Sequence, residues 1–247
     1  MSNFKYTRPE AMPPIVKNLI IINALVFVAQ LTLGKQFNLT EHLMLYPLMP
    51  KELLEIVRNS PGMQPYYGFQ PYQVATHLFA HSPGMMFHII FNMFALWMFG
   101  RILENVWGPK RFLLFYFLCG VGAAACHLGI QYFRCQELLH AVQTYGGDSA
   151  QATALTGALS PALGASGAVM GIMAAFAYTF PNTELFIMFI PVPVKAKWAV
   201  LGYVLIDLLG GLGVYQDNVA HFAHLGGALT GFIIVLIWSK TNRRHFY

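Results

Sequence analysis

The chain has 247 residues, of which 56% are hydrophobic and 10% are charged, and its formal net charge is +5. Soluble domains carry roughly 25% charged residues, so this composition excludes an ordinary soluble globule and predicts an integral protein of the lipid bilayer. The excess of basic residues then reports membrane topology, and we expect no nucleic-acid partner.

Six apolar stretches are long enough to cross about 30 Å of hydrocarbon as helices. In chain order they are Ile15–Leu33, Met85–Leu103, Phe112–Phe133, Leu163–Phe180, Ala196–Leu212 and Val219–Trp238. The fifth is the weakest, because two prolines interrupt the run before it and Asp207 lies inside it. We predict an all-α, polytopic membrane protein with a six-helix bundle at residues 15–239 and tails at residues 1–14 and 240–247.

Two shorter segments are predicted to lie along the membrane. Leu185–Val194 leads into the fifth span and is interpreted as an interfacial segment. Pro50–Arg58 is amphipathic and is predicted to rest on the membrane surface.

Lysine and arginine orient the bundle, because short cytoplasmic loops collect basic residues. With the N-terminus inside, eleven of the fifteen Lys and Arg residues fall on the inner side. Residues 1–14 show neither a cleavable apolar core nor an Arg-rich presequence. We therefore expect cytoplasmic termini and a prokaryotic plasma membrane.

Polar residues of three spans gather near the outer boundary. The second, fourth and sixth spans all enter from outside, and near their beginnings they carry His88 and Asn92, Ser166, and His221 respectively. His88 and Asn92 are four residues apart and therefore share a helical face. Because polar groups are costly within hydrocarbon, we expect these four residues to meet.

A serine beside an imidazole indicates nucleophilic catalysis. We expect His221 to act as the general base for Ser166. An oxyanion would then be stabilised by His88, by the Asn92 amide and by the backbone N–H of Ser166. No acidic residue lies near this layer along the sequence, so a dyad without a third carboxylate is expected. Asp207 either has a function of its own or simply reaches water.

Other histidines and glycines are given structural roles. His224, one turn from His221, is assigned an interhelical hydrogen bond. His77 and His81 are four apart but have no carboxylate or cysteine partner in the sequence, so we predict no metal site there. Two pairs of glycines beside the serine and the histidine should let their helices approach closely. The pair beside the serine is Gly167 with Gly171, and the pair beside the histidine is Gly227 with Gly231.

Three motifs together resemble the rhomboid intramembrane serine proteases. They are Gly164-Ala165-Ser166-Gly167, the block Ala220-His221-Phe222-Ala223-His224-Leu225-Gly226-Gly227, and His88-x-x-x-Asn92. The resemblance implies a six-helix bundle with a water-filled cavity open to the outer face, where Ser166 attacks a peptide bond and His221 relays the proton. By the same likeness His88 and Asn92 line the oxyanion pocket, and Gly164 and Gly167 shape the turn that presents the serine. By the same resemblance, substrates would be single-pass membrane proteins whose helix unwinds near small residues, and no cofactor would be needed.

The chain departs from the family pattern at two places. Tyr72-Gln73 stands where members often have Trp-Arg, which puts the stability of the first outer loop in question. Met170 stands where members often have a tyrosine that stacks on the histidine, so we expect a slightly looser dyad that retains activity. Glu104 matches a structural acid of the family.

Other functions remain as alternatives. A catalytically inactive rhomboid-like protein that binds membrane clients would normally lack the serine or the histidine. A transporter or channel usually shows charges near the midplane or broken helices in paired halves. A zinc metalloprotease would need a His-Glu-x-x-His helix, which this sequence lacks.

Overall fold

The computed structural model describes residues 9–60, 68–147, 149, 153, 156–186, 192–214 and 219–241. The α-helices, in chain order, are α1 (Pro14–Phe37), α2 (Leu39–Leu43), α3 (Lys51–Asn59), α4 (Gln73–Thr76), α5 (Met86–Ala95), α6 (Arg101–Trp107), α7 (Pro109–Tyr145), α8 (Ser166–Thr179), α9 (Ala196–Gly211) and α10 (His221–Thr241). A π-helical turn, Leu96–Gly100, joins α5 to α6, and a 3₁₀ turn, Thr156–Leu159, follows α7.

Among the described residues, four helical segments are long and apolar enough to cross a membrane: Pro14–Gly34, Met86–Trp107, Pro109–Tyr145 and His221–Thr241. They correspond to the first, second, third and sixth predicted spans. The helices in the fourth and fifth positions, α8 and α9, have 14 and 16 residues, or about 21 and 24 Å at the helical rise. A helical membrane bundle is therefore confirmed, whereas six full-length spans are not.

The second span contains a change of helix type that leads to a buried acid. Gly100 closes the π turn, where an added Cβ would crowd Phe112 and Val16. One turn later, the two carboxylate oxygens of Glu104 accept the backbone N–H groups of Ile15 and Val16, each at 2.8 Å. The first N–H groups of a helix have no intrahelical acceptor, so Glu104 caps α1 and fixes the first span to the second.

The third span is much longer than its apolar sequence predicts. α7 has 37 residues, or about 55 Å at the helical rise, and so exceeds the thickness of the hydrocarbon core. Its C-terminal part packs Cys135 and Leu138 against Leu53 and Val57 of α3. The amphipathic segment predicted at Pro50–Arg58 thus forms a helix, and it buries its apolar side against α7.

The centre of the bundle is α8, which packs against α7, α9, α10 and the π turn. Ile172 is fully buried, and the Phe176 ring meets Phe99 of the π turn edge to face, with centroids 5.0 Å apart. By contrast, α1 and α9 expose large apolar side chains such as Leu25 and Leu205. Exposed apolar surface of this kind is what lipid-facing helices require.

A short antiparallel pair precedes α9. Strand β1 (Glu184–Leu185) pairs with β2 (Val194–Lys195), with Glu184 opposite Lys195. The segment predicted to be interfacial, Leu185–Val194, therefore begins and ends in paired strands, and its residues 187–191 lie outside the described part of the chain.

Candidate active site

A constrained turn presents Ser166 as the first residue of α8. Gly164 has φ +120°, a conformation that residues with a Cβ rarely adopt. The Gly164 N–H donates to the carbonyl of His77 at 2.9 Å, and Ala162 exchanges backbone hydrogen bonds of 2.8 and 2.9 Å with Leu45. The position of the serine is therefore fixed by backbone contacts to two other segments.

The imidazole that reaches Ser166 belongs to His224. Its Nε2 lies 2.7 Å from the serine Oγ. The predicted pairing of Ser166 with His221 therefore needs correction, and so does the structural role assigned to His224. His221 instead turns its ring toward α9, where it lies against Gly210.

Helix register explains which histidine meets the serine. Gly167 of α8 touches Gly227 of α10, and Gly171 touches Gly231, so the two helices run in the same direction with these pairs level. Measured along the helix axes from the Gly167–Gly227 pair toward the helix starts, Ser166 lies at about 1.5 Å, His224 at about 4.5 Å and His221 at about 9 Å. Side chains tilt toward the start of their helix, which places the imidazole of His221 beyond the serine.

Asp207 of α9 completes a chain of hydrogen-bonding groups that the sequence analysis missed. Both of its carboxylate oxygens lie 3.1 Å from Nδ1 of His224, and one of them lies 2.7 Å from Nδ1 of His221. Asp207 is 3% exposed. The expectation of a dyad without a carboxylate therefore needs correction, because α9 brings into this layer an acid that is distant along the sequence.

This arrangement determines the tautomer of His224. A carboxylate only accepts hydrogen bonds, so the proton on His224 belongs on Nδ1, facing Asp207. Nε2 is then free to accept the hydroxyl proton of Ser166. The geometry is that of a nucleophile, a base and an orienting acid, the recurring arrangement of serine hydrolases.

His88 of α5 lies beside this group, and Asn92 follows it one turn later on the same helix. An added Cβ on Gly164 would come within 2.8 Å of the His88 Nε2 and 3.6 Å of the Ser166 Oγ, so both side chains border the same glycine. A long contact of 3.5 Å from the Ser82 N–H to His88 Nδ1 favours a proton on Nε2, facing the serine. The Asn92 amide donates one hydrogen to the His88 carbonyl at 2.8 Å.

Other side chains make contacts near the two departures from the family pattern. Met170 is buried in α8, and an aromatic ring reaches the histidine from elsewhere: Tyr203 of α9 lies nearly parallel to the His224 ring, with centroids 6.4 Å apart. In the first loop, the buried amide of Gln73 accepts the N–H groups of Tyr46 and Gln70 and donates to the Gly68 carbonyl. Gln73 thus holds the loop together by hydrogen bonds.

Two further histidines are buried behind the serine turn. His77 and His81 are 4% and 0% exposed, and burial lowers the pKa of each to about 4. His77 Nδ1 contacts the Gln73 carbonyl at 2.7 Å. Across the described residues, no three His, Cys, Asp or Glu side chains are grouped as metal ligands. These histidines stay neutral at pH 7 and pack within the loop.

The chain has detectable relatives among known proteins. Residues 68–241 match the family described as "Rhomboid domain". The human presenilin-associated rhomboid-like protein, mitochondrial, is 30% identical over 160 residues, which are 63% of this chain and 36% of that protein. Rhomboid protein 1, mitochondrial, of Saccharomyces cerevisiae is 29% identical over 154 residues, 62% of this chain and 38% of that protein. RHOMBOID-like protein 12, mitochondrial, of Arabidopsis thaliana is 27% identical over 236 residues, 94% of this chain and 60% of that protein.

These matches limit and correct the sequence interpretation. The chain spans a little over a third of the human and yeast relatives. The prediction of a prokaryotic plasma membrane is wrong, because these relatives are mitochondrial proteins of eukaryotes. The asymmetry of basic residues reports which side of a membrane a loop occupies, and it carries no information on which membrane that is.

Proposed function

Because the chain belongs to the rhomboid family, we propose that it is an intramembrane serine endopeptidase, with Ser166 as the nucleophile and His224 as the general base. The observation that carries this proposal is the hydrogen-bonded series from Ser166 through His224 to Asp207. All three side chains come from different helices, and two of them are buried. A serine in generic helix packing needs neither an imidazole at 2.7 Å nor a carboxylate behind that imidazole.

The chemical steps follow from these positions. His224 Nε2 takes the hydroxyl proton as the Ser166 Oγ forms a bond to the carbonyl carbon of the scissile peptide. The imidazolium is stabilised by the Asp207 carboxylate. It then gives the proton to the departing amine as the carbon–nitrogen bond breaks, which leaves an acyl group on Ser166. Water, deprotonated by the same imidazole, attacks this ester and releases the carboxylic acid product.

The negative charge on the tetrahedral intermediate needs preorganised donors. We assign this role to His88 Nε2, to the second hydrogen of the Asn92 amide and to the Ser166 backbone N–H. The first N–H groups of a helix point outward from its beginning without an intrahelical acceptor, and Ser166 begins α8. The partial positive charge of the helix N-terminus adds to this stabilisation.

The substrate class follows from where the serine lies. Ser166, His88 and the histidines of α10 lie near the beginnings of their helices, and His88 and His224 both lie close to Ser166. These positions support a scissile bond near the membrane boundary at that end of the bundle. A helical substrate has its carbonyl groups engaged in hydrogen bonds, and attack requires that the helix unwinds locally. We therefore propose membrane proteins with a single, helix-destabilised transmembrane segment as substrates, and the bilayer as the medium.

Cleavage of a model single-pass substrate in proteoliposomes tests the proposal. Ser166→Ala and His224→Ala should each abolish cleavage while the thermal unfolding of the purified protein stays close to wild type. Substrate that is bound but never cleaved by the wild-type protein would instead support the inactive, client-binding alternative. Cleavage that persists in Ser166→Ala would end the serine-protease proposal.

A further inference from the structure

His221 makes the shortest contact to the buried acid. Its Nδ1 lies 2.7 Å from an oxygen of Asp207, compared with 3.1 Å for Nδ1 of His224. His221 is 8% exposed and Asp207 is 3% exposed. A buried carboxylate requires hydrogen-bond donors to offset the loss of water, and here two imidazoles from successive turns of α10 supply them.

The His221 ring is fitted into the end of α9. An added Cβ on Gly210 would come within 2.7 Å of the ring's Cδ2 and closer still to its Nε2, so the imidazole occupies space that only a glycine leaves open. The next residue of each helix makes a similar close contact, since a Cβ on Gly211 would lie 3.1 Å from the Phe222 ring. His221 is therefore held in place by the shape of α9 as well as by its hydrogen bond.

Arg134, from a third helix, contacts both α9 and α10 at the end of α9. The guanidinium of Arg134, on α7, donates to the Gly211 carbonyl at 2.9 Å and lies over the Phe222 ring at 5.2 Å. The end of α9, one turn after Asp207, is thus tied both to α10 and to α7. Nothing in the hydrolytic steps uses His221 or Arg134, yet both hold the turn that carries the acid.

We infer that His221 is a positioning residue that acts through Asp207. This assignment rests on the proposed function. His221 fixes the plane of the Asp207 carboxylate, so that both oxygens stay within hydrogen-bonding distance of His224. A carboxylate with one donor is free to rotate about its own side-chain bonds. A second donor on one oxygen removes that freedom, and the orientation of His224 toward Ser166 follows from it.

A double-mutant cycle tests this inference in proteoliposomes, with the single-pass substrate. His221→Leu removes the hydrogen-bond donor. His221→Asn introduces a side chain of nearly the same shape as leucine but retains an N–H near the position of Nδ1. We expect His221→Leu to lower kcat by about 10- to 100-fold, as for other groups that orient a catalytic partner, with KM changed by less than about twofold. His221→Asn should recover most of that loss.

The cycle is completed in an Asp207→Asn background. If His221 acts through the carboxylate, His221→Leu should cost no further activity there, because the group that it positions is already gone. The inference would be overturned if the reductions in kcat from His221→Leu and Asp207→Asn multiplied in the double variant. It would also be overturned if His221→Leu and His221→Asn reduced kcat equally. Ser166→Ala serves as the reference for the proposed function: cleavage by that variant would refute the protease itself, whatever the cycle shows.

A second perturbation covers the case in which His221→Leu does not fold. Gly210→Ala leaves His221 chemically intact and displaces its ring, so it should lower kcat in the wild-type background and have no effect in Asp207→Asn. Gly202→Ala on the same helix is the control, since an added Cβ there meets nothing within 4 Å. Equal activity of the two glycine variants would also overturn the inference.

Discussion

The contact between α8 and α10 at Gly227 gives a sensitive test of the geometry around Ser166. A Cβ on Gly227 would overlap the carbonyl oxygen of Gly167 and lie 2.7 Å from its carbonyl carbon. Ordinary contacts of a Cβ start at about 3.4 Å, so Gly227→Ala must push the two helices apart by roughly 1 Å or more. The hydrogen bond from Ser166 to His224, now 2.7 Å, would then exceed hydrogen-bonding distance.

The expected loss can be set from this displacement. A shift of about 1 Å in a catalytic group costs on the order of 100-fold in rate, whereas overpacking typically costs about 1–3 kcal/mol of stability. Gly227→Ala should therefore lower kcat/KM about 100-fold and lower the unfolding temperature only moderately. Cleavage in proteoliposomes and thermal unfolding in detergent measure the two effects separately.

A matched substitution separates misalignment from the general effect of an added methyl group. Gly129→Ala on α7 places a Cβ where nothing lies within 4 Å, and it should leave kcat/KM close to wild type. If Gly227→Ala retains full activity, or if both variants lose the same amount, the close approach of α8 and α10 does not control the catalytic geometry.

Three other substitutions test separate parts of the account. Asp207→Asn should reduce kcat by about 10²- to 10⁴-fold, because the amide no longer holds the proton of His224 on Nδ1; a rate within a factor of three of wild type would remove the acid from the mechanism. Glu104→Gln loses one of two acceptors for the α1 N–H groups, so we expect destabilisation by about 1–3 kcal/mol, measured by unfolding in detergent, and an unchanged unfolding temperature would contradict the cap. For His77, burial lowers the pKa from 6.5 to about 4; the unfolded chain therefore binds the proton more readily, and stability that is present above pH 6.5 is lost as the pH falls to 4, by on the order of 3 kcal/mol. His77→Gln should flatten this dependence, and an equally steep loss of unfolding temperature between pH 7 and 4.5 would refute the assignment.

The sequence predicts much of the fold because apolar length and glycine spacing are local properties. Within the described residues, four of the six apolar stretches become helices long enough to cross a membrane, and the side chains of His88 and Ser166 border the same glycine, Gly164. The length of α7 was not predictable in this way. Beyond Phe133 its helix is stabilised by packing of α3, and a search for hydrocarbon-length segments does not detect that kind of support.

The choice between His221 and His224 shows where sequence reasoning stops. Both lie within one turn of the beginning of α10, so depth alone does not separate them. The glycine pairs do separate them. If Gly227 lies level with Gly167, His224 is nearer to Ser166 than His221 is. Asp207 is an acid within an apolar span, and such residues usually have partners. Which partners it has is specified only by the packing of α9 on α10.

Covalent labelling tests most directly whether His224 activates Ser166. A fluorophosphonate probe reacts with an activated serine whatever the natural substrate is, and mass spectrometry then locates the modified residue. The account predicts labelling at Ser166 in the wild type and in His221→Asn, and none in His224→Ala. Modification of another residue, or undiminished labelling of Ser166 in His224→Ala, would contradict it.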